Sequence, residues 1–354
     1  MIDVGACESV LIVGTGLIGT SIGLALRERG YQVFLQDETP SHALVAAGLG
    51  AGEVEFCDQA DMVIVAVPPS HTPKIVAEAL AAYPGATVLD VASVKAPILD
   101  ELMAMGIDLS RYVGTHPMAG SHRAGPLTAR ADLFEDRTWV VTPHIAAEVN
   151  RIDQVHALVR DCLAEVEVMD PTEHDMAVAS ISHVPQIVSS LMAGNLTEVP
   201  SHHVKLAGQG VRDVTRLAAS DELMWSQIIT ANQDAIFEQL EKLASSLDEI
   251  RGNLDSEKAV ESFLKAGALG ARTLPGKHGH VLADYVLVTV EIPDSPGALA
   301  KLFADVEQAG VNVEDLSLSH DRTREVGFIS ISVLPDEAEA LASTMTEAGW
   351  SLKP

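Results

Sequence analysis

The chain has 354 residues, enough for two or three domains that fold on ordinary hydrophobic cores. Its net charge of −27 excludes nucleic acid and anionic membrane as natural partners, and an anionic substrate would need a local basic site. Hydrophobic residues make up 47%, but no run of about 18 uninterrupted apolar residues occurs and the N-terminus has no basic leader, so neither a membrane span nor a secretory signal is expected. The three cysteines, Cys7, Cys57 and Cys162, are scattered without a C-x-x-C, which argues against a disulfide framework or a metal site and for a cytoplasmic protein.

The first half alternates apolar strand-like runs with helical spacing. Val10 to Val13 reads as a buried parallel strand, followed by Gly14, Gly16 and Gly19 in G-x-G-x-x-G spacing. Apolar residues at helical spacing then run through Ile18, Ile22 and Leu26 to a stop at Gly30, and a second strand, Tyr31 to Leu35, leads to Asp37. In such a unit the first glycine permits the tight turn, the second lets a pyrophosphate approach the backbone, and the third lets helix and strand pack closely. The first helical turn, with Leu17 and Ile18, offers free N–H groups to the phosphates. Asp37 is placed for the ribose hydroxyls and would repel a 2′-phosphate, so NAD is the expected cofactor. Further strands are expected at Asp61 to Val67, Thr87 to Asp90 and Trp139 to Val141, with helices at Thr72 to Ala82 and Ala96 to Met105. This is an α/β Rossmann (doubly wound) domain, predicted over 1–147, whose ligands sit where Val67-Pro68, Asp90 to Lys95 and Gly114 to Gly120 fall.

From residue 148 to about 270 the pattern is all-α, apart from a β-like stretch at Glu165 to Met169. His174 to Leu196 reads as a buried helix, and Asp221 to Leu247 as one long helix with Leu223, Ile228, Ile236, Leu240, Leu243 and Leu247 on an apolar stripe. Such faces are hard to bury within one copy, so a helix-mediated homodimer is expected. A short helix at Ser256 to Lys265 precedes a Gly-rich linker, set at 271–283, and residues 284–354 read as a small α+β module in βαββα order that a short final strand would complete.

Among the thirteen histidines, His116 stands apart because it lies at the ligand edge of the sheet and Pro117 holds it extended. A neutral imidazole there can accept the proton of an alcohol being oxidised. Ser93 lies at another strand end, where it can orient His116 or cap the helix that begins near Ala96. Arg216 can grip a carboxylate with its planar fork or pair with Asp213. His174-Asp175 and the run Ile181 to Gln186, which includes His183, read on their own as capping and packing groups of an apolar helix.

The segments GTGLIGTS, DVASVK, GTHPMAG, ISHVPQ and RDVTRLAASDELMW, in this order, resemble the TyrA family of prephenate and arogenate dehydrogenases over about residues 10–247. The stretches VEIPDSPGALAKLF and GVNVEDLSL resemble an ACT domain, a module that commonly binds amino acids. The first resemblance implies oxidative decarboxylation of prephenate to 4-hydroxyphenylpyruvate with NAD, in tyrosine biosynthesis. It makes His116 the catalytic base, Ser93 its support and Arg216 a ligand of a substrate carboxylate, and it adds His174, His183 and Gln186 as substrate-binding candidates. Some family members carry histidine where this chain has Gln186. A neutral amide there can donate to the keto acid of prephenate and offers no charge to the ammonium of arogenate, so prephenate is the expected substrate. The second resemblance places an aromatic amino-acid effector near Asp294, Gly297, Ala298, Leu299 and Asn312, against the alternative of a purely structural module. Two other readings stay open: an arogenate dehydrogenase, and a non-catalytic sensor of NAD and amino acids, which would need neither His116 nor Arg216.

Overall fold

The computed structural model describes residues 9–55, 57–120, 125–274, 285–293, 295–321 and 326–353. Its contacts divide the chain into two units, 1–245 and 246–354.

The first unit opens with β1 (Ser9–Val13), α1 (Leu17–Glu28) and β2 (Gln32–Gln36), the order the glycine pattern dictates. Then follow α2 (Pro40–Gly48), β3 (Met62–Val65), α3 (Thr72–Ala82), β4 (Thr87–Asp90), α4 (Ala96–Ala104) and β5 (Tyr112–Pro117). These five strands run parallel with neighbours in the order β2-β1-β3-β4-β5. Their carboxyl ends share one edge, which is where a doubly wound sheet carries its ligands.

The sheet does not end at residue 147. It continues through β6 (Thr138–Thr142), α5 (Val149–Asp161) and β7 (Glu165–Val168), giving seven strands, with β6 antiparallel to β5 and β7 parallel to β6. The β-like stretch at Glu165 to Met169 is therefore the last strand of this sheet, because α5 crosses back over it and buries Val155, Leu158 and Val159 against the sheet core. Two layers of core flank the strands, one around Ile22, Leu26 and Trp139, the other around Val76, Leu102 and Tyr112.

Helices follow: α6 (Pro171–Val178), a π-helical turn at Ala179–His183, α7 (Val184–Asn195), α8 (Ser201–Val204), α9 (Gln209–Thr215), a 3₁₀ turn at Arg216–Ala219, α10 (Glu222–Ala231) and α11 (Gln233–Gly252). The run Pro171–Glu198 is 28 residues long and contains an 18-residue window of mean hydropathy 1.3, long and apolar enough by composition to cross a membrane. Four of its polar residues, His174, Asp175, His183 and Gln186, are buried within this unit, whereas the apolar Ile181, Leu191 and Met192 are exposed. The single helix expected from Asp221 to Leu247 is two. The break is Asn232, a buried residue whose amide is committed to tertiary hydrogen bonds. The predicted stripe is half covered by the chain itself: Ile228 and Ile236 are buried, whereas Leu223, Leu243 and Leu247 are exposed.

The second unit begins within α11 and continues with α12 (Glu257–Ala271), which extends beyond the short helix expected and carries exposed Phe263, Leu264 and Leu269. Beyond it lie β8 (Val286–Pro293), α13 (Ala298–Ala309), β9 (Asp315–Asp321), β10 (Val326–Val333), α14 (Ala338–Glu347) and β11 (Ser351–Lys353). The strands pair antiparallel in the order β11-β8-β10-β9 over a core of Val290, Leu302, Ile331, Leu341 and Met345. This is the expected α+β order with its closing strand present. Of the effector candidates, Asp294 lies outside the described residues. Gly297 is left-handed (φ 87°) and leads into α13, Ala298 and Leu299 form the first turn of that helix, and Asn312 donates to the Glu314 carboxylate.

Candidate active site

The glycine-rich turn has the three properties its spacing predicts. Gly14 is left-handed (φ 100°), and a Cβ on it would stand 2.3 Å from the carbonyl oxygen of Ala66. A Cβ on Gly19 would stand 1.9 Å from the Gly14 carbonyl oxygen, so only glycine lets the helix approach the turn. Gly16, between them, has no atom within 4 Å of its would-be Cβ and leaves room for a pyrophosphate. No side chain caps the helix that begins at Leu17, so its first N–H groups, including that of Ile18, are free for an anion. Val67 lies beside this turn, with its Cγ1 3.1 Å from the would-be Cβ of Gly14, and Pro68 follows at the exposed rim. Asp37 braces the same loop: Oδ2 accepts from the Thr15 N–H (2.7 Å) and hydroxyl (2.9 Å), and Oδ1 accepts from the Thr39 N–H (2.8 Å).

His116 is the penultimate residue of β5, half-buried at the same carboxyl edge. Its backbone neighbours are tightly held. The Thr115 hydroxyl donates to the Asp90 carbonyl (2.6 Å) and accepts from the Trp139 indole (3.0 Å), and the Lys95 ammonium donates to the Thr115 carbonyl (2.6 Å) and to the Asp90 carboxylate.

The ring of His116 is hydrogen-bonded to His174 and not to Ser93. Ser93 makes no hydrogen bond to it among the described residues, nor does it cap α4. The cap comes from far along the chain: Asp175 accepts from the Lys95 N–H (2.9 Å) through Oδ1 and from the Ala96 N–H (2.8 Å) through Oδ2. His116 Nδ1 lies 2.9 Å from Nε2 of His174, and His174 Nδ1 lies 2.7 Å from Oδ1 of Asp175. A carboxylate only accepts, so His174 carries a proton on Nδ1; in the neutral ring Nε2 then accepts, and His116 donates from Nδ1. The lone pair of His116 is thereby left on Nε2. Burial, then His174, Lys95 and His183, hold the His116 pKa well below the ordinary imidazole value, so the ring is neutral at physiological pH.

His174 and His183, expected as substrate ligands, are both deeply buried in the structure. Each is only 1% exposed and bonded to protein. Asn232 uses Nδ2 twice, toward the Asp175 carbonyl (2.8 Å) and His183 Nδ1 (3.0 Å), so His183 accepts there and is neutral. Burial pushes its pKa down to about 4, reinforced by His174 and opposed by Asp175. The unfolded chain binds this proton near pH 6.5 and the native chain near pH 4, so the unfolded state holds more protons in between. His183 should therefore withdraw roughly 3 kcal/mol of stability as pH falls from 6.5 to 4, with none lost above 6.5. An NMR titration of its ring measures this; a midpoint near the unperturbed value would contradict it.

Gln186 is also buried, at 5% exposure, and its Nε2 donates to the Leu217 carbonyl (3.0 Å). Three residues on, the Ser189 hydroxyl accepts from the Ala218 N–H (3.1 Å). Together they seat the turn that carries Arg216. Gln186 Oε1 is buried with no hydrogen-bond partner among the described residues. Arg216 itself is exposed. Asp213 is bonded by Gln209 (2.7 Å), and no carboxylate among the described residues lies within ion-pair distance of the Arg216 guanidinium. No cluster suited to a metal ion occurs among the described residues.

Residues 22–168 match the family model of the prephenate dehydrogenase nucleotide-binding domain, and 170–266 that of the prephenate dehydrogenase dimerization domain. The chain is 35% identical to the probable prephenate dehydrogenase NovF of Streptomyces niveus, over 97% of this chain and 99% of that one. It is 27% identical to the prephenate dehydrogenase of Bacillus subtilis over 96% of each. Among solved structures, a prephenate dehydrogenase from A. aeolicus in complex with hydroxyphenyl propionate and NAD+ superposes with a TM-score of 0.69 at 27% identity, covering 75% of this chain and 98% of that one. The matched segments, the full-length relatives and the shared architecture agree, and the chain belongs to the prephenate dehydrogenase family.

Proposed function

We propose that this chain oxidises and decarboxylates prephenate to 4-hydroxyphenylpyruvate with NAD, using His116 Nε2 as the base. The observation that carries the reading is the neutral His116 ring at the carboxyl edge of a sheet whose glycine-rich turn fits a dinucleotide. NAD, when bound, supplies the hydride acceptor. Gly14, Gly16 and Gly19 and the helix start at Leu17 and Ile18 would hold its pyrophosphate, with Val67 and Pro68 at the rim and Asp37 at the ribose.

His116 takes the ring hydroxyl proton as the carbinol hydrogen leaves with its electron pair. Loss of the ring carboxylate as CO2 returns a pair to the ring and leaves a phenolate, to which His116 gives the proton back. No net proton is released, so the base needs no outlet to solvent. Arg216 would bind a substrate carboxylate, an anchor the charge of −27 makes necessary, and Ser93 would serve as a hydroxyl contact at the neighbouring strand end. A cytoplasmic setting is part of the proposal, in keeping with the free, buried Cys57 and Cys162.

One observation favours a second substrate. The free atom of Gln186 is Oε1, an acceptor, which the ammonium of arogenate satisfies and the keto oxygen of prephenate does not. Gln186 itself brings no negative charge to neutralise that ammonium, and prephenate remains the favoured substrate. kcat/KM on the two in parallel decides between them; a preference for arogenate would overturn the assignment.

The matched dimerization domain and the exposed Leu223, Phe237, Leu243 and Leu247 support a homodimer, and the C-terminal module, read as ACT-like, would bind an aromatic amino acid at the start of α13. Sedimentation at micromolar concentration should give a dimer, and millimolar tyrosine should raise its melting temperature. A monomer would contradict the first expectation and an unmoved melting temperature the second.

A further inference from the structure

We propose that His174 and Asp175 are a positioning pair that fixes the tautomer and orientation of His116, and that Asp175 ties this hold to the seating of α6 against the start of α4. The mechanistic part rests on the reading of His116 as the base; the tautomer assignment does not.

Asp175 is the hub. Its two oxygens take three donors from two places: the His174 ring, and the Lys95 and Ala96 N–H groups at the start of α4. Its own carbonyl takes a fourth, from Asn232. The carboxylate is buried and its oxygens face only donors, so His174 cannot turn Nε2 toward it without surrendering the 2.7 Å contact. The consequence passes one ring further. His174 presents an acceptor to His116, His116 answers with Nδ1–H, and Nε2 is left to the substrate. The two rings meet edge to face with centroids 5.1 Å apart, a contact that also restricts rotation of the half-buried His116 ring.

The same carboxylate closes the N-terminus of α4, the helix that follows the Asp90 to Lys95 loop. No side chain within α4 or the residue before it does so. The orientation of the base and the packing of the helical segment on the nucleotide-binding sheet therefore share one group. If α6 moves away from α4, His174 loses its orienting partner and His116 loses its fixed tautomer. The charged and titratable groups acting on His116 are Lys95 before α4, His174 on α6 and His183 in the π-helical turn.

The test uses the full chain, labelled with 15N in its histidine rings, as wild type and as His174→Ala, His174→Gln and Asp175→Asn, each checked by melting curve. Wild type should show His116 protonated on Nδ1. His174→Ala should yield a mixture of tautomers, and His174→Gln should restore Nδ1–H, since its Oε1 can accept from His116. With prephenate and NAD, His174→Ala should lose about 10- to 100-fold in kcat with KM within about twofold, and His174→Gln should recover part of it. Asp175→Asn should show the same split of kcat from KM. His116 protonated on Nε2 in wild type overturns the proposal, as does a kcat within threefold of wild type in His174→Ala, or a loss residing in KM alone. A wild type with the expected tautomer but no turnover of prephenate or arogenate would instead refute the functional reading and leave the positioning geometry standing.

Discussion

His116→Asn is expected to lower kcat/KM for prephenate by about 10²–10⁴-fold, with the loss in kcat and little change in KM. Asparagine suits this experiment because its amide reaches the position of Nδ1. It can keep the donor toward His174 Nε2, now 2.9 Å from the imidazole, while deleting the Nε2 lone pair. The fold and the dinucleotide turn, which makes no use of this ring, should be unaffected, so NAD binding by fluorescence should match wild type. The magnitude follows from chemistry: without the base, the hydroxyl proton must go to water as the hydride leaves, and a positioned base is worth about that factor. Steady-state kinetics across pH also probe the environment. The wild-type base is held neutral by burial and by the nearby His174 and Lys95, so activity should persist well below the pH at which an ordinary imidazole protonates.

Asp90→Asn should be among the most destabilising single substitutions in the first unit, by about 3–5 kcal/mol. Asp90 and Lys95 are both fully buried and paired, and Asp90 also accepts from the Tyr112 hydroxyl (2.7 Å) and the Ala92 N–H (2.8 Å). Removing the carboxylate charge strands the Lys95 ammonium in a dry interior. Burial already lowers the Lys95 pKa even with Asp90 present, and without it the lysine should fold neutral. The sign is then fixed. The unfolded lysine holds its proton up to about pH 10.4 and the folded one does not, so the mutant gains stability as pH rises, and its deficit against wild type narrows. Melting temperatures at pH 7 and 9.5 measure this. Lys95→Met in the Asp90→Asn background should recover part of the loss by removing the stranded charge. A melting temperature within about 2 °C of wild type at pH 7 would contradict the account.

The Rossmann half was legible in local pattern because its constraints are local. Gly19 is demanded by the nearby Gly14 carbonyl and Gly14 by its own left-handed backbone, although the carbonyl that would crowd a Cβ on Gly14 belongs to Ala66 just after β3, and Thr72–Ala82 and Thr87–Asp90 carry their own periodicity and turn signals. Helix α2 escaped notice because Pro40–Gly48 is short and only two of its residues, Ala43 and Ala46, are buried. The reversed strand β6 is invisible to periodicity, since a buried apolar run has no direction. The break at Asn232 and the roles of His174, Asp175 and His183 rest on contacts spanning about 50 to 80 residues, which no local window contains. One signal was present: an acid directly after a histidine near the start of an otherwise apolar helix, where both must be paired if buried. Ser93 shows the opposite error. Its place before α4 suits a cap, yet the cap came from Asp175 in another segment.

The most direct test of the central claim is NADH formation at 340 nm by the purified full chain given prephenate and NAD, with CO2 measured alongside. The account predicts one NADH and one CO2 per prephenate, with 4-hydroxyphenylpyruvate as the product. A folded protein that binds NAD yet reduces none of it with prephenate would contradict the assignment of His116 as a working base and of this chain as a prephenate dehydrogenase.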